Sequence, residues 1–195
     1  MIRIDQPSSD NDEYFELKGD PSLDLTNVYY IGIGDGSGGS GVVESVTALT
    51  GSTVASTGYF VAAESSFSLG TADLTTTLGF ENSDNVTHML VTGFTGTLQD
   101  DLDTNDDGFL DVTPWSDVID VVALVEPPFS GDKTYEMMFG GASGGPDGTS
   151  VPGHVFQCTA GWPGGDVGEG CCAVAPNFAE LREGKPRESE GEATP

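Results

Sequence analysis

Short runs in which apolar and polar residues alternate recur along this chain, with clusters of turn residues between them. Alternation of period two sends every second side chain to one face of a strand, so each run predicts a half-buried β-strand. Ile2 and Ile4 read as the first. In Tyr14-Phe15-Glu16-Leu17, Phe15 and Leu17 share a face, and Gly19-Asp20-Pro21-Ser22 ends the run. Val28 to Ile33 is mostly apolar, as suits the middle of a sheet. Val42 to Val46 and Tyr59 to Ala63 follow, and then Leu74, Thr76, Leu78 and Phe80 alternate cleanly. Asn85 to Thr92 is a further strand, residues 118–125 are the strongest core strand, Tyr135, Met137 and Phe139 share a face of another, and His154 to Cys158 is the last.

About eight to ten short strands at this spacing, with no amphipathic helix before the tail, predict an all-β sandwich and exclude a parallel α/β sheet. Phe15, Leu17, Ile31, Ile33 and Phe60 are expected to pack between the two sheets, joined by Ile119, Val121 and Ala123. After Gly164 the apolar pattern fades into Gly, Glu, Pro and Arg. Such a segment buries too little to offset its ordering entropy. The expected organisation is one domain over residues 1–177 and a disordered tail over 178–195.

Charge narrows the function classes. The chain carries 6 Lys+Arg against 32 Asp+Glu, a formal net charge of -26. That field repels a phosphate backbone and an anionic bilayer, which argues against nucleic-acid binding and membrane insertion. No run approaches the ~20 apolar residues of a membrane span. Met1-Ile2-Arg3-Ile4 passes directly into polar sequence, so no signal-peptide pattern is present. The expected reading is a start inside a longer gene, and an extracellular or cell-surface location.

The most specific chemistry lies in Asp103-Thr104-Asn105-Asp106-Asp107-Gly108-Phe109-Leu110-Asp111, which reads D-x-N-x-D-G-x-x-D. Calcium is a hard cation that collects several oxygen ligands, and this spacing supplies them from one short loop. Asp103, Asn105 and Asp107 stand at loop positions 1, 3 and 5, Gly108 makes the sharp turn at position 6, the Phe109 carbonyl fills position 7, and Asp111 stands at position 9. Position 12, where a calcium hand places a bidentate Glu, is Pro114, and no helix pattern flanks the loop. A structural calcium site is therefore expected rather than a regulatory hand, with Asp100, Asp101 or Asp117 able to add a carboxylate. The competing reading is an acidic solvated turn with no ion.

Other motifs carry less. Gly34-Asp35-Gly36-Ser37-Gly38-Gly39 satisfies G-x-G-x-x-G, but a dinucleotide site needs a helix next, and Val42, Val43 and Val46 make a poor one. Gly141-Ala142-Ser143-Gly144-Gly145 satisfies G-x-S-x-G, yet Pro146-Asp147-Gly148 follows where a nucleophile elbow requires a helix. The two histidines, His88 and His154, fall in strand patterns. Cys171 and Cys172 are adjacent, so Cys158 could pair with either; a zinc site needs about four ligands at workable spacing, with His88 and His154 the only histidines, and unpaired or simply paired thiols in a loop are the expected reading. Asn85-Val86-Thr87 is a glycosylation sequon. Trp115 and Trp162 could stack on sugars or plug a β domain.

Several of these segments together resemble a known family. Asp10-Asn11-Asp12-Glu13-Tyr14-Phe15-Glu16-Leu17, then Leu23-Asp24-Leu25-Thr26 and the strand to Ile33, look like the opening of a lamin-tail domain. Gly58 to Ala62, Asp103 to Asp111 with Pro114-Trp115, and Pro152-Gly153-His154-Val155-Phe156-Gln157-Cys158 resemble its bacterial secreted branch. The resemblance spans residues 2–177 and departs from the pattern at residues 168–175. It implies an immunoglobulin-like β-sandwich, an accessory module of secreted or surface proteins that sometimes sits beside nucleases or phosphoesterases. Three functions stand on the sequence: a non-catalytic, calcium-stabilised module with a protein or glycan partner, the N-terminal part of an extracellular hydrolase, and a carbohydrate-binding sandwich using Trp115, Tyr29 or Tyr59.

Overall fold

In the computed structural model, residues 1–4, 11–81, 83–126, 131–147, 149–157 and 171–172 are described. Eleven strands occur among them: β1 (Ile2–Arg3), β2 (Tyr14–Lys18), β3 (Val28–Gly36), β4 (Gly39–Ala48), β5 (Tyr59–Ala63), β6 (Leu74–Thr75), β7 (Val86–Thr92), β8 (Asp117–Leu124), β9 (Ala142–Gly144), β10 (His154–Gln157) and β11 (Cys171–Cys172). They form one sheet in the order β11-β10-β1-β2-β5-β6 and another in the order β4-β3-β7-β8-β9. Most neighbours are antiparallel; β5–β6, β8–β9 and β10–β11 are parallel. The expected all-β sandwich is what forms. Cys158, Trp162 and the tail 178–195 lie outside the described residues.

Phe15 and Leu17 of β2, Phe60 of β5, Tyr30 of β3, Leu90 of β7 and Val122 and Leu124 of β8 are buried together between the sheets. Phe15 stacks on Tyr30 with ring centroids 4.0 Å apart. The five-stranded sheet is buried on its other face too. There Ile31, Ile33, Val43, Met89, Val91 and Val121 meet Phe94, Leu102, Leu110 and Tyr135, which arrive from outside the strands. The long connection between β7 and β8 thus supplies a second core, and Asp103–Asp111 is part of it.

This division corrects the expected core. Ile31, Ile33 and Val121 lie in the second core, while Ile119 packs against the first. Ile31 and Ile33 alternate along β3 with Tyr30, which stacks on Phe15, and so face the other way. On β8 the cause is a register shift: Leu90 pairs with Asp120 but Val91 with Val118, leaving an extra residue. One extra residue reverses the parity of the faces, so Ile119 and Val121 part company. Two further expectations change. The segment with Tyr135, Met137 and Phe139 is a 3-10 turn, Glu136–Phe139, closed by Gly140 in the left-handed conformation at φ 73. Tyr135 is fully buried and Met137 is 76% exposed. Beyond Leu74 the strand stops at Thr75, although Leu78 and Phe80 still reach the first core.

Candidate metal centre

Two irregularities in β4 organise the polar chemistry. Ile33 pairs with Val43 but Gly32 with Ser45, so Glu44 is an extra residue; Gly34 pairs with Val42 but Asp35 with Ser40, so Gly41 is another. Bulges of this kind bend a strand and re-aim side chains.

At Gly41 (φ +91) the strand makes room for the acidic loop. A Cβ there would meet the Asp103 side chain and lie 3.0 Å from the Tyr135 hydroxyl. Leu102 N donates to Gly41 O, and Ser40 N donates to Asp106 Oδ1 at 2.8 Å. Gly38 and Gly39 likewise press against Asp101 and Asp106. The glycine-rich hairpin therefore serves as a platform for the aspartate loop and leads into a strand, not a nucleotide-binding helix.

Within the loop, Asp103 is 1% exposed and its carboxylate is the hub. Oδ1 accepts from Asp107 N at 3.2 Å, and Oδ2 accepts from Gly108 N and the Tyr135 hydroxyl, both at 2.9 Å. Burial, and next the bond to Asp103, push the Tyr135 phenol well above its usual range. Asn105 Oδ1 accepts from Asp107 N while its amide nitrogen donates to Asp107 Oδ2. Asp107 Oδ1 also accepts from Phe109 N, and Asp111 Oδ2 accepts from the backbone and hydroxyl of Thr104. Asp106 (φ 54) and Gly108 (φ 86) take the left-handed turns. The donors are all oxygens, which suits a hard cation. The loop carboxylates are not gathered as tightly as a second set nearby.

That second set is Asp35, Glu44 and Asp84, whose ligand oxygens all lie within 4.8 Å of one another, the one such group of three among the described residues. Asp84 is 4% exposed; its Oδ2 accepts from Asp35 N at 3.0 Å and its Oδ1 from Asn85 N at 2.6 Å. Glu44 Oε2 is buried and has no hydrogen-bond partner. A Cβ on Gly34 would run into that oxygen and stand 3.0 Å from Asp84 Oδ2. Burial first, then the neighbouring carboxylates Glu81, Asp84 and Asp35, push the Glu44 carboxyl up to about 8. Burial likewise raises Asp84 to about 7. Sequence reasoning passed over this group because its members come from two strands and a loop, with no motif spacing.

Set against protein-family models, curated proteins and solved structures, the chain matches none of them.

The remaining candidates have structural surroundings. His88 is 2% exposed, bonded through Nδ1 to the Tyr30 hydroxyl at 3.0 Å and set edge-on to Phe80. Burial lowers it to about 3. A cavity of about 30 Å³ beside Tyr30, His88 and Asp120 has room for a water, far below the size of a small-molecule site. His154 meets the Tyr14 hydroxyl at 3.2 Å, and Ser143 lies exposed on β9. Asn85 is 8% exposed, with its amide donating to Asp132 O and its carbonyl accepting from Glu126 N. A glycan has no access to a side chain so placed. Trp115 sets its edge against Phe139, and Tyr29 packs on Phe94.

Proposed function

We propose that this protein is a non-catalytic β-sandwich of the lamin-tail type, stabilised by calcium and acting as an interaction module outside the cell or at its surface. The observation that carries the reading is the placement of the D-x-N-x-D-G-x-x-D loop. Its hub, Asp103, is buried beside the second core, and the flanking Leu102 and Leu110 belong to that core. An ion held here is coupled to packing, which is what a stabilising metal requires. Asp103, Asn105, Asp107, the Phe109 carbonyl and Asp111 are the groups that would hold it.

The acidic surface and the small number of Lys and Arg support a role away from nucleic acid and anionic lipid. No helix among the described residues is long and apolar enough to cross a membrane. A protein partner fits better than a glycan: of the three candidate sugar-stacking rings Trp115 and Tyr29 are engaged with neighbouring rings and Tyr59 alone is exposed, at 43%, whereas Phe109 and Met137 are 65% and 76% exposed. They flank the contact of Leu110 N with Met138 Sδ at 3.4 Å, so an apolar rim borders the acidic loop. Thermal melts of the full chain with calcium and with chelator test the reading. Calcium should raise the melting temperature of the wild type by clearly more than that of Asp107→Ala, and neither protein should turn over nuclease, phosphoester or peptidyl substrates. Equal melts, or turnover lost in Asp107→Ala, would overturn it.

A further inference from the structure

We infer that the apolar rim beside the Asp103–Asp111 loop docks a protein segment that presents Lys or Arg around an apolar anchor. The inference rests on the reading of the chain as an interaction module and names the chemistry of its partner. Two contacts assemble the rim. The Lys133 side chain lies over Gly108, its Cδ 3.7 Å from where a Cβ on that glycine would stand, and Leu110 N meets Met138 Sδ at 3.4 Å. Residues 108–110 therefore run alongside residues 133–138. Leu110 and Tyr135 turn inward to the second core, while Phe109, Met137 and Met138 stay exposed beside them. Apolar residues exposed singly are ordinary on any surface. Large ones gathered on two adjoining segments form a patch of the kind that marks a protein-binding site.

Charge decides what covers the patch. Residues 100–117 hold seven Asp and no Lys or Arg, and Asp106, Asp107 and Asp111 among them are exposed. The loop thus stays negative with a divalent ion bound. Among the described residues Arg3 and Lys18 belong to β1 and β2 of the other sheet, which leaves Lys133 as the cation at the rim. A second copy of this chain would set the same acidic surface against itself, and an acidic partner would be repelled in the same way. A segment with Lys or Arg flanking Leu, Met or an aromatic residue answers both features. Its cations meet the exposed carboxylates and speed the encounter, and its anchor is desolvated against Phe109 and Met137. The unbranched thioethers of Met137 and Met138 can repack around anchors of different shape.

The test uses the full chain at physiological salt and three labelled synthetic peptides of equal length, read by fluorescence anisotropy. One alternates Lys with Leu, one Lys with Ser and one Glu with Leu. The Lys–Leu peptide should bind about tenfold or more tightly than either of the others, and Phe109→Ser and Met137→Ser should each weaken it by about tenfold. Tyr59→Ser, an exposed position on the other sheet, should leave it unchanged. Backbone amides of Phe109, Leu110, Met137 and Met138 should shift together as the peptide is added. Equal binding of the Lys–Ser peptide would mean that charge alone acts, and binding of the Glu–Leu peptide that charge does not select; either overturns the inference, as does an affinity unmoved in both rim variants. A dimer of the peptide-free chain that dissociates in Met137→Ser would give the patch to a second copy and overturn it too. Failure here is distinct from failure of the calcium reading. Melts that rise with calcium while the Lys–Leu peptide does not bind overturn the docking alone, and binding that persists where calcium leaves the melts unchanged removes the metal and keeps the docking.

Discussion

At the scale of single residues, the most consequential groups are polar ones held in apolar surroundings. His88 is buried with the Tyr30 hydroxyl on Nδ1, and burial depresses its folded pKa to about 3. A depressed histidine contributes stability that is present above its unfolded value of about 6.5 and is lost as pH falls toward the folded value. Asp120, lining the same cavity, has the opposite sign: burial raises it to about 7, so its contribution is lost as pH rises from the usual carboxylate range toward neutrality. The two are separated by substitution. His88→Phe should be less stable than the wild type at pH 7 by about 1–3 kcal/mol, because the Tyr30 hydroxyl loses its partner. The gap should then narrow as pH falls from 7 to 4 in urea-denaturation midpoints, and a constant gap would show that His88 is not held neutral. Tyr135 is the second such group. Its hydroxyl donates to the buried Asp103 carboxylate at 2.9 Å. Removing a donor to a charged acceptor costs about 1.5–3 kcal/mol, so Tyr135→Phe should lower stability by that amount, and more in chelator than in calcium.

At the scale of elements, the bulges of β4 and β8 decide where side chains go. Gly41 provides a clear case: φ +91 is strained for any other residue, and a Cβ would meet Asp103 and approach Tyr135. Gly41→Ala should destabilise by more than the ~1 kcal/mol of an ordinary glycine replacement and should weaken calcium binding, both measurable in one calorimetric titration series. Much at this scale was legible from alternation alone. Phe15, Leu17 and Phe60 fall in the sandwich core as their pattern requires, and β3, β7 and β8 lie where continuous apolar runs placed them. Those runs are apolar because the five-stranded sheet is covered on both faces. What the pattern could not reveal follows from the same fact. A strand buried on both sides carries no polar face to mark its register, so the bulge near Ile119 was invisible, and Val121 moved to the other core. The Tyr135 segment failed differently: a period-two reading of Tyr135, Met137 and Phe139 fits four residues of 3-10 turn just as well until Gly140 is recognised as its stop. Of the site chemistry, the nine-residue loop announced itself by local spacing, whereas Asp35, Glu44 and Asp84 meet only through strand pairing and a loop 40 residues away in sequence from Glu44 (84 − 44 = 40).

At the scale of the whole molecule, a net charge of -26 makes every cation stabilising to some degree, and a specific site has to be told apart from that background. Diffuse attraction is screened: the Debye length falls from about 30 Å at 0.01 M to about 3 Å at 1 M salt, so self-repulsion across the surface is largely removed by sodium chloride alone. An ion ligated by buried oxygens is screened much less. The two contributions should therefore separate in a grid of melts against sodium chloride and calcium. Raising sodium chloride in chelator should increase the melting temperature of the wild type and of Asp107→Ala alike, since both carry the same excess of carboxylates elsewhere. Adding calcium at 0.5 M sodium chloride should raise the wild type further, by the mass-action term that reaches about 2.7 kcal/mol at a hundredfold excess over the dissociation constant. Asp107→Ala at the same salt should lose the share of that increment that belongs to the loop. Calcium stabilisation that disappears in 0.5 M sodium chloride for the wild type would mean that the ion acts only as a counterion to an acidic surface, and the buried hub at Asp103 would then be held by its hydrogen bonds to Asp107, Gly108 and Tyr135 without a metal.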